Sequence, residues 1–198
     1  MIKPPMHHVN LKTIRFEEMI DFYKTVVGVE EIFKNEWACF TSNDDAHHRV
    51  VFICLEGMKN DPDKIPHTGL HHTAWDYGSL QELIDTYERL RDLGIMPVMS
   101  VDHGMAIAFY YADPDGNLVE LQVDNFPTQK AAQEYMRNSP EFRADPLGTF
   151  MDPELVIPEL KNGVSHEEIH RMAWAGAFEN DVTAKYDPHM PVEGGKPS

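Results

Sequence analysis

Two histidine pairs and one mid-strand carboxylate are the residues in this chain whose types and spacing could do chemistry. His7-His8 precedes Val9-Asn10-Leu11, and His71-His72 precedes Thr73-Ala74-Trp75, with a spacing of 64 residues (8 to 72). Glu120 stands among Leu118, Val119 and Leu121, where a carboxylate needs a partner to be tolerated. A cation would supply one. Imidazole nitrogens and a carboxylate oxygen from three strands can occupy one face of an octahedral ion, and the other face then stays open to substrates. That donor set is suited to a non-haem Fe(II) centre.

The elements that must position these residues read as a duplicated pattern. In the first copy, about 6–56, alternation at His8, Asn10 and Lys12 predicts a strand. Phe16 to Val27 carries apolar residues at helical spacing and stops at Gly28. Three strands are expected at Glu31–Lys34, Trp37–Thr41 and Arg49–Leu55. In the second copy, about 70–125, a strand at Leu70–Asp76 is followed by a helix that Ser79 caps and Gly94 ends. Strands follow at Met96–Val101, Ala106–Ala112 and Asn117–Val123, the last two joined by the turn Asp113-Pro114-Asp115-Gly116. On the first strand of this copy His72, Ala74 and Asp76 share a face. The fold class expected is α+β, paired βαβββ units over 1–126 with a partly helical extension over 127–198. In that extension helices are expected at Gln129–Arg137 and from Ser165, with Pro140, Pro146, Pro153 and Pro158 breaking any long element. The stretch Tyr186–Ser198 reads as loosely ordered.

Composition narrows the function classes. A net charge of −16 repels a phosphate backbone, so no nucleic-acid partner is expected. No apolar run approaches the roughly 18 residues of a membrane span, and Met1-Ile2-Lys3-Pro4-Pro5 lacks a signal-peptide core. Cys39 and Cys54, in apolar surroundings, read as buried free thiols, as in a reducing cytoplasm.

The sequence resembles the vicinal oxygen chelate superfamily, and within it the compact, one-pair type I extradiol catechol dioxygenases. The residues that carry the resemblance are Leu70-His71-His72, Tyr110, Asp113-Pro114-Asp115-Gly116-Asn117 and Glu120, over about Met6 to Asn125. The resemblance implies His8, His72 and Glu120 as metal ligands, and Fe(II), with Mn(II) as the alternative ion. It implies His48 as the acid–base histidine and Tyr110 as the residue that hydrogen-bonds the substrate oxygen. His103, in His103-Gly104-Met105, matches the family's His-Gly, although its spacing to Tyr110 is about two residues short. Phe52 is a candidate substrate-wall residue, with Trp37, Met105 and Phe109. The implied partners are an aromatic diol and O2, and the long tail suggests a homo-oligomer.

Other readings stay open on the residues. Glyoxalase I shares the superfamily but needs four protein ligands. A constant repeat period puts Glu56 at the place matching Glu120, whereas matching by strand character puts Phe52 there. Fosfomycin-type transferases share a three-ligand set but lack the His48 and Tyr110 pair. A non-enzymatic protein that sequesters aromatic ligands is a further class. His166-Glu167-Glu168-Ile169-His170 matches HExxH, but directly follows a helix cap and lacks a third ligand in the tail. It reads as a solvated or contact-forming helix.

Overall fold

The computed structural model describes residues 2–62, 64 and 67–180. Tyr186–Ser198 lies outside the described residues. The chain divides into two units, Met1–Lys64 with Asp113–Asn117, and Ile65–Ala112 with Leu118–Ser198.

The first unit holds β1 (Val9–Lys12), α1 (Phe16–Val26), β2 (Glu30–Lys34), β3 (Ala38–Ser42) and β4 (Val50–Ile53). Its sheet runs β1-β4-β3-β2, with β1 parallel to β4 and the other pairs antiparallel. The helical stripe predicted from the sequence is the one that α1 buries, through Met19, Ile20, Tyr23 and Val26. Gly28 takes φ 78° just past the end of α1, a conformation a side chain would resist. Leu11 pairs with Phe52 in register, and the Phe52 ring packs edge-on against Tyr23 of α1 at 5.1 Å.

The second unit repeats the order with β5 (His72–Asp76), α2 (Leu80–Asp92), β6 (Met99–Asp102), β7 (Ala106–Ala112) and β8 (Leu118–Asp124). The sheet runs β5-β8-β7-β6, the same order as in the first unit, and then gains a further strand, β9 (Thr149–Phe150), against β6. Ser79 caps α2 by accepting from the Glu82 amide. Leu80, Leu83, Ile84, Tyr87 and Leu90 form its buried stripe, and Tyr87 meets Phe109 of β7 edge-on at 5.7 Å. In the tight turn between β7 and β8, Asp113 Oδ1 accepts from the amides of Asp115 and Asn117.

The extension continues the second unit with α3 (Gln129–Asn138), α4 (Pro140–Ala144), α5 (Pro153–Lys161) and α6 (His166–Trp174). The described helices of the extension are short, at most 10 residues, as its prolines lead one to expect, although Pro158 lies inside α5. Pro153 sits in its first turn, where a missing N–H costs nothing, and Asp152 caps it by accepting from Glu154. Pro158 removes one bond from a short helix, while Val156 and Ile157 are buried. Both cysteines are free, Cys39 fully buried and Cys54 half-buried. Among the described residues no helix is long and apolar enough to cross a membrane.

Gly148 and Gly163 adopt the same left-handed backbone, φ 85° and 84°, in opposite surroundings. A Cβ on Gly148 would lie 2.8 Å from the His103 Cα, whereas one on Gly163 would meet nothing within 4 Å. Gly163→Ala should therefore cost about 1 kcal/mol, the conformational penalty alone. Gly148→Ala should cost on the order of 3 kcal/mol or more, because β9 must also be pushed off β6. Thermal unfolding of the two variants checks this, and equal losses would contradict the described packing.

Candidate metal centre and active site

Register decides which side chains of the second unit share a face. Ala74 pairs with Glu120, Glu120 with Tyr110, and Tyr110 with Met99. His72 lies two residues from Ala74 on the same strand, so His72, Glu120 and Tyr110 point to one side. Phe109, Tyr111 and Leu121 point to the other, and Phe109 there meets α2. The shared face is polar at its centre. His72 Nε2 lies 3.1 Å from Glu120 Oε2, and the Tyr110 hydroxyl lies 2.8 Å from Glu120 Oε1. The same hydroxyl lies 2.8 Å from His103 Nε2, and His103 Nδ1 lies 2.7 Å from the Leu147 carbonyl oxygen. The spacing between His103 and Tyr110, two residues short of the family pattern, therefore still brings the two side chains into contact.

Electrostatics follow from depth. Glu120 is 5% exposed. Burial pushes its pKa up, but hydrogen bonds from His72 and Tyr110 outweigh this and hold the carboxyl below its usual range. His103 is 8% exposed, and burial pushes its imidazole below the ordinary range against the opposing charge of Glu120. The Leu147 carbonyl can only accept, so His103 Nδ1 carries a hydrogen. The Tyr110 hydroxyl has one hydrogen and stands between two acceptors, a carboxylate oxygen and an imidazole nitrogen. It donates to Glu120 Oε1 or to His103 Nε2, one at a time, and the two acceptors fix where the hydroxyl sits.

In the first unit, His8 directly precedes β1 and His48 precedes β4 by two residues. Their rings lie 4.4 Å apart, centroid to centroid. Among the described residues, His7, His8 and His48 form a group whose ligand atoms lie within 4.8 Å of one another. The sequence pattern pairs His7 with His8 but implies only His8 as a ligand, and the nearness of His7 to His48 depends on a loop that no periodicity encodes. Burial first, then His8, His47 and His7, push the His48 pKa down, which favours the neutral, proton-accepting form. Donor chemistry in both units fits a divalent transition metal, with imidazole nitrogens in one and an imidazole facing a buried carboxylate in the other.

Two sequence readings are corrected by register. Asn10 pairs with Val51, while Ala74, 64 residues further on (10 to 74), pairs with Glu120. The first-unit counterpart of Glu120 is therefore Val51, neither Phe52 nor Glu56. Phe52 is fully buried on the α1 side against Tyr23, a core residue and no substrate wall; Phe109 is likewise buried against α2. Glu56 is exposed in the turn after β4. Of the two readings of α6, solvated or contact-forming, the structure shows the second. His170 Nδ1 lies 2.7 Å from Asp102 Oδ2, and His166 Nε2 lies 2.8 Å from Asn125 Oδ1. The signal was the spacing of the two histidines, which shares one helical face and so one set of neighbours.

A folded-state imidazole below 6.5 means that the unfolded chain takes up more protons on acidification. The contribution of His103 is whole above about pH 6.5 and is lost as pH falls through the lowered folded value. Urea unfolding of the metal-free chain from about pH 8 to about pH 5 should show this loss, and His103→Gln should make it shallower. Equal slopes would contradict the burial assigned to His103.

Comparison with known proteins agrees with the duplicated architecture. A profile of the Glyoxalase/Bleomycin resistance protein/Dioxygenase superfamily matches residues 6–121. Biphenyl-2,3-diol 1,2-dioxygenase 2 of Rhodococcus globerulus is 40% identical over 172 residues, 87% of this chain and 90% of that protein. Biphenyl-2,3-diol 1,2-dioxygenase 3 of the same organism is 38% identical over 175 residues, 88% and 91% of the two chains. A glyoxylase/bleomycin resistance protein/dioxygenase domain from Frankia sp. EAN1pec shares the fold, with a TM-score of 0.52 at 17% identity over 62% of this chain and 99% of that one. A match over most of the chain at this identity, with the paired strand order it requires, places the chain in the Glyoxalase/Bleomycin resistance protein/Dioxygenase superfamily, on its extradiol dioxygenase branch.

Proposed function

We propose that this chain is an Fe(II)-dependent extradiol dioxygenase that opens a catechol or a dihydroxybiphenyl-type diol with O2 to a muconic semialdehyde-type product. The observation that carries the reading is the line His72, Glu120, Tyr110 and His103 on one sheet face, each within 3.1 Å of the next. The likeness to two biphenyl-2,3-diol 1,2-dioxygenases supports a bicyclic diol as the first substrate to try. In this proposal His8, His72 and Glu120 hold the metal. Fe(II) when bound would supply a meeting point for diol and dioxygen and a path for electrons between them. Mn(II), with similar ligand preferences, is the alternative ion.

The protein's own groups have distinct tasks. Tyr110 orients a diol oxygen through its hydroxyl, which Glu120 and His103 already hold in place. His48, kept neutral by its surroundings, takes up a diol proton at a ring nitrogen and returns it during ring opening. His103 steadies the Tyr110 hydroxyl as charge shifts toward the substrate oxygen. The glyoxalase I-like reading needs a fourth protein ligand, and Val51 at the counterpart of Glu120 argues against one. A non-enzymatic aromatic-binding protein has no use for a hydroxyl held between an imidazole and a buried carboxylate.

Anaerobic loading with Fe(II), followed by an oxygen electrode and a panel of catechols and 2,3-dihydroxybiphenyl, tests the reaction. A yellow ring-fission product with matching oxygen uptake is expected for at least one diol; bound iron without uptake on any of them would reject it. His48→Ala should keep its iron and slow turnover by about 10²–10⁴-fold. Glu120→Ala should lose iron, by about 10–100-fold in affinity or more. Loss of iron in the His48 variant would move that residue into direct coordination and undo its role.

A further inference from the structure

The extension after β8 closes around the short turn that carries His103. The Leu147 carbonyl accepts from His103 Nδ1 at 2.7 Å. Gly148 lies so close to the backbone of Asp102 and His103 that a methyl group could not enter. Thr149 and Phe150 then pair with Asp102 and Val101. From the other side, a Cβ on Gly104 would meet the Tyr135 ring at 3.0 Å. Asp102 is the anchor of the turn and is fully buried. Its Oδ1 accepts from the Gly104 amide at 2.8 Å and from Asn125 Nδ2 at 3.0 Å. Its Oδ2 accepts from His170 Nδ1 at 2.7 Å.

The hydrogens in this network are assigned by what each group can do. Asp102 as a carboxylate accepts, so His170 carries its hydrogen on Nδ1. The two Asn125 Nδ2 hydrogens go to Asp102 Oδ1 and the Gly104 carbonyl, leaving Asn125 Oδ1 to accept from His166 Nε2. Asn125 Nδ2 and His170 Nδ1, 3.0 Å apart, then both donate to the Asp102 carboxylate. The HExxH-like helix is tied by His170 to Asp102, beside His103, and by His166 to Asn125, which holds Asp102 and Gly104.

We propose that the C-terminal extension is a working part of the active site, with Leu147 and His170 as positioning residues for His103. Leu147 holds the proton on His103 Nδ1, so that Nε2 faces the Tyr110 hydroxyl. His170 fixes Asp102, and through it the Asp102–Gly104 turn on which the His103 ring is carried. The inference rests on the reading of Tyr110 and His103 as substrate-orienting groups. Without the His170 donor, one oxygen of a fully buried carboxylate loses its partner. The turn then shifts to find another, and the His103–Tyr110 line goes with it.

The test pairs His170→Ala with His170→Asn, whose amide nitrogen can stand near the place of the lost Nδ1. Long-range ¹H–¹⁵N spectra of the full-length, metal-free chain report directly which ring nitrogen of His103 carries hydrogen. A hydrogen on Nδ1 is expected in the wild type and in His170→Asn, with shifted or broadened His103 signals in His170→Ala. In the iron-loaded enzyme, kcat should fall about tenfold in His170→Ala with KM and iron content unchanged, and His170→Asn should restore most of it. A wild-type His103 without hydrogen on Nδ1 overturns the proposal by itself, whatever the variants do. So does a His170→Ala protein whose His103 signals and kcat match the wild type. A wild type that shows the Nδ1 hydrogen but opens no diol refutes the reaction proposed above and leaves the positioning of His103 supported.

Discussion

A carboxylate in the middle of a buried strand is the constraint to which the rest of the second unit answers. Leu118, Val119 and Leu121 around Glu120 are each at most 1% exposed, and Glu120 itself is 5% exposed. Burying an unpartnered carboxylate costs far more than any single strand contact returns. The neighbouring strands must therefore present donors where Glu120 points, and β5 and β7 do so with His72 and Tyr110. A slip of one residue in β8 would turn Glu120 toward α2 and Leu121 toward the histidine. The apolar pattern that seats α2 on the sheet and the polar line on the opposite face thus specify the same register, each penalising the slips that the other would also penalise.

Duplication built the two sheets with one strand order, but not with one chemistry. Where the second unit has Glu120 the first has Val51, and the first unit instead gathers His7, His8 and His48 at the end of its sheet. The asymmetry bears on which reaction the fold can run. A symmetric pair of carboxylates would make four protein ligands and leave two positions of an octahedral ion, the count that the glyoxalase I-like reading needs. A single carboxylate with imidazoles leaves room for two external partners on one ion, as oxygen chemistry requires.

Much of this was legible in the sequence because periodicity and turn chemistry are local. The stripes of α1 and α2, the Ser79 cap, the Asp113–Gly116 turn and strand β7 follow from spacing and residue type. The 64-residue repeat then aligned His8 with His72. Register was less legible: matching strands by composition slid β4 by one residue, which turned Phe52 from the α1 core into a supposed pocket wall. The extension was least legible. Pro158 argued against α5, yet burial of Val156 and Ile157 overrides a single lost hydrogen bond. The pairing of β9 with β6 joins residues 149–150 to 101–102, a long-range contact two residues deep with no pattern to announce it. For the same reason the partners of His166 and His170 could not be read from the HExxH spacing alone.

The account stands on the identity of the side chains that hold the metal. Anomalous diffraction at the iron edge, from crystals of the chain loaded with Fe(II) under nitrogen, addresses this directly. One iron peak is predicted, with His8, His72 and Glu120 as its protein ligands and no fourth. Iron held by His7, His8 and His48 without Glu120, or a sphere closed by an additional side chain, would contradict it.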